Sequence, residues 1–460
     1  MGFWDTAKLY AFDLVIYAFV FAFGACLGSL NNVLVYRLPR GLGVVTPPSR
    51  CPSCGTRLTW RENIPVLGWV FLRGRCRFCK SPISAEYPIV EAVVGVLFVL
   101  VYAFLFADPW RWPGSWLDQA RPEWAAAGVR EVWPTLVIWL GLVSCLVAIT
   151  VVDAKTSMIP MELVWAPTLV GLVGHVGHAI WVQGGVGHLA ARTPGWDWTI
   201  PIPNPGGWTA IGAALGGAAG VVVATGMLWR GWITRSFLDY PEWEKRQLAE
   251  QHATEQVKAT SAPGEPGSLP PEAPADAEHA MSLWVQYPHA RREMLREVLF
   301  LAPIIGLGFA GAALAIRLAG PWTPDAFGGL PTPAAMAPLW LRVLAGVLLG
   351  YLVGGGVVWA VRVLGSLAFG KEAMGLGDVH LMAAVGACLG WIDSVLAFFG
   401  AAFVGLTWWV LGLVLGGAAK RAMPYGPYLA VSTLLVLALR PLIERGLGLL
   451  LPALSPVHLP

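Results

Sequence analysis

The stretch WPTLVIWLGLVSCLVAITVVDAKTSMIP (133–160) decides what kind of protein this is. Residues 133–152 carry no charge and, as a helix, are long enough to cross about 30 Å of hydrocarbon. The run stops at Asp153, a carboxylate at the edge of the apolar span. Such a charge is costly at a membrane boundary unless something pairs or uses it. A second stretch, GKEAMGLGDVHLMAAVGACLGW (370–391), repeats the situation: Asp378 closes a Gly-rich turn and a short apolar run follows. Two carboxylates brought together can share one proton and activate a water.

Working outward from these motifs, the composition agrees with a membrane protein. Of 460 residues 56% are hydrophobic and only 13% charged, and the mean hydropathy is +0.61. These values lie outside the range of soluble globular domains. Apolar runs at 11–36, 88–107, 133–152, 161–182, 208–229, 298–318, 339–364, 379–391, 395–417 and 427–450 predict an all-α polytopic membrane protein of about ten transmembrane helices. Frequent glycine within them suits close helix packing in lipid. The first run leads into YRLPRG, not a small-residue cleavage site, and is read as a retained span.

Charge distribution sets the sidedness. The segment 37–86 holds nine Lys or Arg (37, 40, 50, 57, 61, 73, 75, 77 and 80) against Glu62 and Glu86. The positive-inside rule makes this loop cytoplasmic and the N-terminus external. Counting spans from there brings Asp153 with Lys155, Arg230 with Arg235, Arg362 with Lys371 and Asp378, and Lys420 with Arg421 to the cytoplasmic side. Both aspartates therefore fall on one face. The Trp-rich segment 108–133 (Trp110, Trp112, Trp116, Trp124, Trp133) falls outside, as an interfacial aromatic belt.

The seven cysteines divide by context. Cys26, Cys145 and Cys388 lie in apolar runs, where a thiol behaves as a small hydrophobe. Cys51, Cys54, Cys76 and Cys79 form two CxxC knuckles separated by 21 residues. This arrangement predicts a four-thiolate zinc site, and a reducing cytoplasmic loop disfavours the alternative of disulfides. A closed site of this kind folds a small loop domain and leaves no position for catalysis. The arginines around it fix topology and meet anionic lipid; no nucleic-acid partner is expected.

The segment 234–296 is the other long hydrophilic stretch. It opens with an amphipathic pattern at 240–258 and passes into ATSAPGEPGSLPPEAPADAEHA (259–280), whose composition is that of a disordered linker. His175, His178 and His188 are far from both aspartates in sequence and are read as span-end histidines rather than metal ligands. Each aspartate also has an ordinary alternative role. Asp378 could N-cap a helix starting at Val379, and Asp153 could pair with Lys155. The shared face and the GxGD turn, Gly375 to Asp378, tip the reading toward chemistry. Glycines let that backbone bend and approach a substrate closely.

The chain resembles the type IV prepilin peptidases, membrane aspartic peptidases of the GxGD class. The resemblance rests on GACLGSLNNVLVYRLPRG (24–41), the cysteine-containing stretch 47–98, VVDAKTSMIP (151–160), GKEAMGLGDVHLMAAVGACLGW (370–391) and MPYGPYLA (423–430). It implies that Asp153 and Asp378 are the catalytic pair, with Gly375, Gly377, Lys371 and His380 as supporting residues, in a multi-pass protein of the bacterial inner membrane. The implied reaction is removal of a short basic leader from prepilins or pseudopilins at the cytoplasmic face. The resemblance also implies, for many members, N-methylation of the new terminus with S-adenosylmethionine as cofactor. Mapped on the family, the chain reads as a first span (1–36), a cytoplasmic four-cysteine domain (37–86), helices carrying the first aspartate (87–182), an insertion with two extra spans and the 234–296 linker (183–338), and helices carrying the GxGD motif (339–450). An eight-span core plus two spans preserves the side of Asp378.

The sequence departs from the family pattern at Met161, where an acidic residue is usual, at His380, where Lys is usual, and at Asn31-Asn32. Competing readings are another GxGD intramembrane protease, a transporter using the two carboxylates as ion sites, and a pilin-binding scaffold that does not cut.

Overall fold

A computed structural model describes residues 3–46, 48–107, 121–185, 193–198, 205–240, 287–320, 322–323, 332–333, 335–415 and 424–450, with isolated positions between 242 and 253. Its main helices are α1 (Phe3–Arg37), α2 (Leu67–Phe71), α3 (Glu86–Phe106), α4 (Val129–Thr156), α5 (Met161–Gly185), α6 (Trp208–Trp229), α7 (Ala290–Leu318), α8 (Leu339–Phe369), α9 (Leu376–Leu389), α10 (Trp391–Leu415), α11 (Tyr425–Ala438) and α12 (Arg440–Leu450). Eight of these are long and apolar enough to span a membrane: α1, α3 to α8, and α10. The short apolar helix α9 and the pair α11–α12 account for the remaining expected runs. Strand structure amounts, among the described residues, to isolated bridges and one antiparallel pair, Trp322–Thr323 with Thr332–Pro333.

The run expected at 427–450 is bent: α11 and α12 are apolar enough together for a span but meet at 81°. Pro441 lacks an N–H and disfavours helical geometry in the residue before it, and Arg440, Glu444 and Arg445 lie just beyond the bend. The amphipathic pattern at 240–258 lies mostly, and the linker at 259–280 wholly, outside the described residues, as do Trp110, Trp112, Trp116, His188, Lys420 and Arg421.

The core forms around α4 and α9. Leu142, Leu146 and Ile149 of α4 meet Leu381 and Met382 of α9 and Leu429 of α11, all buried. α9 is enclosed by α4, α5, α8, α10 and α11, which explains a helix too short to span yet apolar on every side. Its approach to α8 leaves no room for side chains where they cross, because a Cβ on Gly350 or Gly386 would strike the other's backbone. Outward-facing Phe309, Leu314, Phe403 and Val414 remain exposed, as a lipid-facing surface requires. α1 packs along α3 and is tied to α4 by buried Asn31, whose Nδ2 donates to the Ser144 carbonyl at 2.8 Å. Asn32 donates to the Tyr87 carbonyl at 3.1 Å. The unusual Asn pair thus satisfies carbonyls of two neighbouring elements. α6 and α7 pack mainly on each other and on α8.

Candidate active site

Local chemistry ends the two motif helices beside each other. α4 stops when Ser157 turns left-handed (φ 51°) and its N–H donates to the Asp153 carbonyl at 2.8 Å. α8 stops at left-handed Gly370, and Gly375 then N-caps α9. Asp378 lies in the first turn of α9, two residues after the helix begins at Leu376. The expectation of an N-cap to a helix starting at Val379 is therefore corrected. Lys155 pairs with Glu86 at the start of α3, so the alternative in which it pairs with Asp153 is corrected as well.

Asp153 and Asp378 are both buried, at 4% and 9% exposure, and their carboxylates interact electrostatically. Asp153 Oδ2 accepts the N–H of Gly426 at 3.1 Å, in the first turn of α11. Each carboxylate thus sits at a helix N-terminus, where free N–H groups and the helix dipole hold an anion. A Cβ at 426 would lie 2.5 Å from Asp153 Oδ2, so a larger residue there must displace that carboxylate. The motifs also touch directly, because a Cβ on Gly377 would lie 3.0 Å from Cβ of Ile159.

Asp378 faces an open cleft of about 760 Å³, whose lining includes Tyr240, Lys371, Met374, Phe398 and Tyr425; Asp153 does not line it. His380 is turned to its own helix, with Nδ1 donating to the Leu376 carbonyl at 2.7 Å. Sequence reasoning missed Gly426, Tyr240 and Tyr425 at this site, and it took Arg362 for a topology marker. Arg362 is wholly buried and ion-paired to Glu297 and Glu372. Its position near the end of an apolar run, ten residues before Glu372, is the one signal that could have revealed this.

The four loop cysteines converge. Their sulfurs lie within 4.8 Å of one another, with Cys51 to Cys79 at 3.8 Å and Cys54 to Cys76 at 4.0 Å. A tetrahedral ion with metal–sulfur bonds of about 2.3 Å needs sulfurs roughly 3.8 Å apart, so the donor set fits. The knuckles are built alike: Cys51 N–H meets the Thr56 carbonyl and Cys76 N–H the Ser81 carbonyl, each at 2.9 Å. Gly55 and Lys80, each following its knuckle's second cysteine, are left-handed. Backbone N–H groups of Cys54 and Ser53 hold the Cys51 thiol down at about 6, and the Ser81 hydroxyl lowers Cys79. The loop is pinned to α3 by Glu91, which accepts the Val66 N–H at 2.7 Å. His175 and His178 are buried in the bundle, bonded to the Cys388 and Glu131 carbonyls.

Fold and site define a polytopic membrane protein with two buried carboxylates at helix N-termini and a four-cysteine loop. The bacterial peptidase A24 N-terminal domain matches residues 22–105, and the type IV leader peptidase family matches residues 326–410. Among similar proteins, a prepilin leader peptidase/N-methyltransferase of Myxococcus xanthus is 38% identical over 154 residues, covering 34% of this chain and 38% of the relative. Proteins of the same name from Klebsiella pneumoniae and Aeromonas hydrophila are 35% and 32% identical, each over 34% of this chain and over 61% and 56% of their own length. The chain thus spans about half the length of the curated relatives it matches. No solved structure matches it significantly. Two segments of this chain are thus similar to type IV leader peptidase domains. The matched domains contain the cysteine loop and Asp378; Asp153 lies between them.

Proposed function

We propose that this protein is a membrane aspartic endopeptidase that removes the basic leader of prepilins or pseudopilins, with Asp153 and Asp378 as its catalytic pair. The observation that carries the reading is a pair of buried carboxylates on two motifs that touch at Gly377 and Ile159, one of them facing an open cleft. The pair holds one proton. The ionised carboxylate takes a proton from water, whose oxygen attacks the scissile carbonyl, while the protonated one donates a hydrogen bond to that carbonyl oxygen. The tetrahedral intermediate collapses as a proton passes to the leaving nitrogen and the C–N bond breaks. Roles within the pair belong to the pair as a unit.

Helix ends pin both groups, and the apolar cleft wall of Phe398 and Phe399 suits the hydrophobic segment that follows a leader junction. The basic 37–86 loop supports a cytoplasmic active-site face in the inner membrane. Cys51, Cys54, Cys76 and Cys79 would hold zinc, whose contribution is to fold the loop. N-methylation is carried over from the name of the relatives, and S-adenosylmethionine is the methyl donor that the family resemblance implies.

The test is purified protein in detergent with a synthetic peptide that has a short basic leader, a junction glycine and an apolar helix. Cleavage after the glycine in wild type, and none in Asp153→Asn or Asp378→Asn, is the expected result; cleavage by either variant at the wild-type rate overturns the reading. Adding S-adenosylmethionine and weighing the product tests methylation in the same tube.

A further inference from the structure

The loop joining α8 to α9, which carries Lys371 to Gly375 into the GxGD turn, is held by residues outside the family motifs. Glu297, near the start of α7, is 3% exposed. Its Oε1 accepts Arg362 Nε at 2.9 Å and Ser236 Oγ at 2.6 Å, and its Oε2 accepts Trp359 Nε1 at 2.8 Å. Arg362 in turn donates Nη1 to Glu372 Oε1 at 2.6 Å and to the Met374 carbonyl, immediately before Gly375. The guanidinium also lies 5.4 Å from the Phe237 ring centre. A second attachment runs beside it: Tyr287 N–H donates to the Gly370 carbonyl at 2.7 Å, and Tyr287 Oη donates to Asp239 Oδ1 at 2.5 Å. Tyr240, from the same segment, lines the cleft that Asp378 faces.

Net stabilisation is a weak explanation for this chain of charges, since an apolar replacement of equal volume often holds a fold as well or better. Its geometry is more telling. Both attachments, through Arg362 and through the Tyr287 N–H, end on the loop that leads into Asp378. One donor, Arg362 Nη2, is buried without a hydrogen-bond partner among the described residues.

We infer that Glu297 is a positioning residue of the active site: acting through Arg362, it fixes the backbone at Glu372 to Met374 and so the placement of Asp378. The 183–338 segment, read from sequence as an insertion, thereby supplies a part of the catalytic apparatus. The inference rests on the peptidase reading.

The test uses the full chain in detergent and the leader peptide described above, with kcat and KM measured separately, alongside the unfolding temperature. Glu297→Gln is expected to lower kcat by about 10- to 100-fold, the scale of a small misplacement of a reacting group, with KM close to wild type and an unfolding temperature that is lowered but stays above the assay temperature. Glu297→Asp is expected to recover much of the loss. A wild-type kcat in Glu297→Gln overturns the inference, as does a loss that tracks the unfolding temperature and is not relieved by Asp. If Glu297→Gln does not accumulate, Ser236→Ala and Trp359→Phe decide, because each removes one bond to Glu297 without unpairing a charge. A several-fold fall in kcat supports the inference, and unchanged kcat in both overturns it. Asp378→Asn runs in parallel. Inactivity there with full activity in Glu297→Gln removes only the positioning role, whereas full activity in Asp378→Asn removes the peptidase reading and this inference with it.

Discussion

Asp153 and Asp378 are legible in the sequence because each interrupts apolar surroundings that give it no reason to be there. Their local partners are not legible, because these come from far along the chain. Gly426 reaches Asp153 across 273 residues, and Arg362 meets Glu297 across 65. The neighbours that sequence did offer, Lys155 for Asp153 and an N-cap for Asp378, proved to be engaged or displaced. Gly426→Ala would place a methyl group 2.5 Å from the Asp153 carboxylate. It should lower leader cleavage at least tenfold while membrane accumulation stays normal, as kcat measured on purified protein will tell. His380 is committed to its own helix, so His380→Ala should leave kcat within about threefold of wild type. A larger loss would give the ring a role at the carboxylates.

At the scale of elements, the CxxC spacing foretold the cysteine cluster well, since two knuckles leave little freedom in how four thiols can meet. It did not foretell the anchors that fix the loop to the bundle, Glu91 to Val66 N–H and Trp69 Nε1 to the Ile83 carbonyl. Close to one zinc per chain is expected by elemental analysis, and Cys51→Ser or chelation should expose 48–84 to limited proteolysis, since a structural zinc site folds with its metal. Loss of metal without new cleavage sites would contradict a folding role. Helix existence was legible from hydropathy throughout. The break between α11 and α12 was obscured because Leu439 and Leu442 to Leu450 keep the average apolar while Pro441 and three charges decide the geometry.

For the whole molecule, the count of apolar runs and the alternation of sides were enough to bring both aspartates and the cysteine loop to one end. The packing of α6 and α7 beside α8, and the tie from Glu297 of α7 through Arg362 to the loop before Asp378, were not legible there. If that end faces the cytoplasm, exposed Cys54, in protein stripped of metal, should react with a membrane-impermeant thiol reagent in inverted vesicles and stay protected in right-side-out cells. The opposite pattern would reverse the topology. The account as a whole turns on the carboxylate pair. Its most direct test is the mass of a pilin N-terminus after co-expression of a prepilin from the same genome with wild type, Asp153→Asn, Asp378→Asn and, as a buried carboxylate away from the pair, Asp393→Asn. The account predicts a leaderless pilin with wild type and Asp393→Asn, and an intact leader with the other two. A leaderless pilin with Asp153→Asn or Asp378→Asn would contradict it.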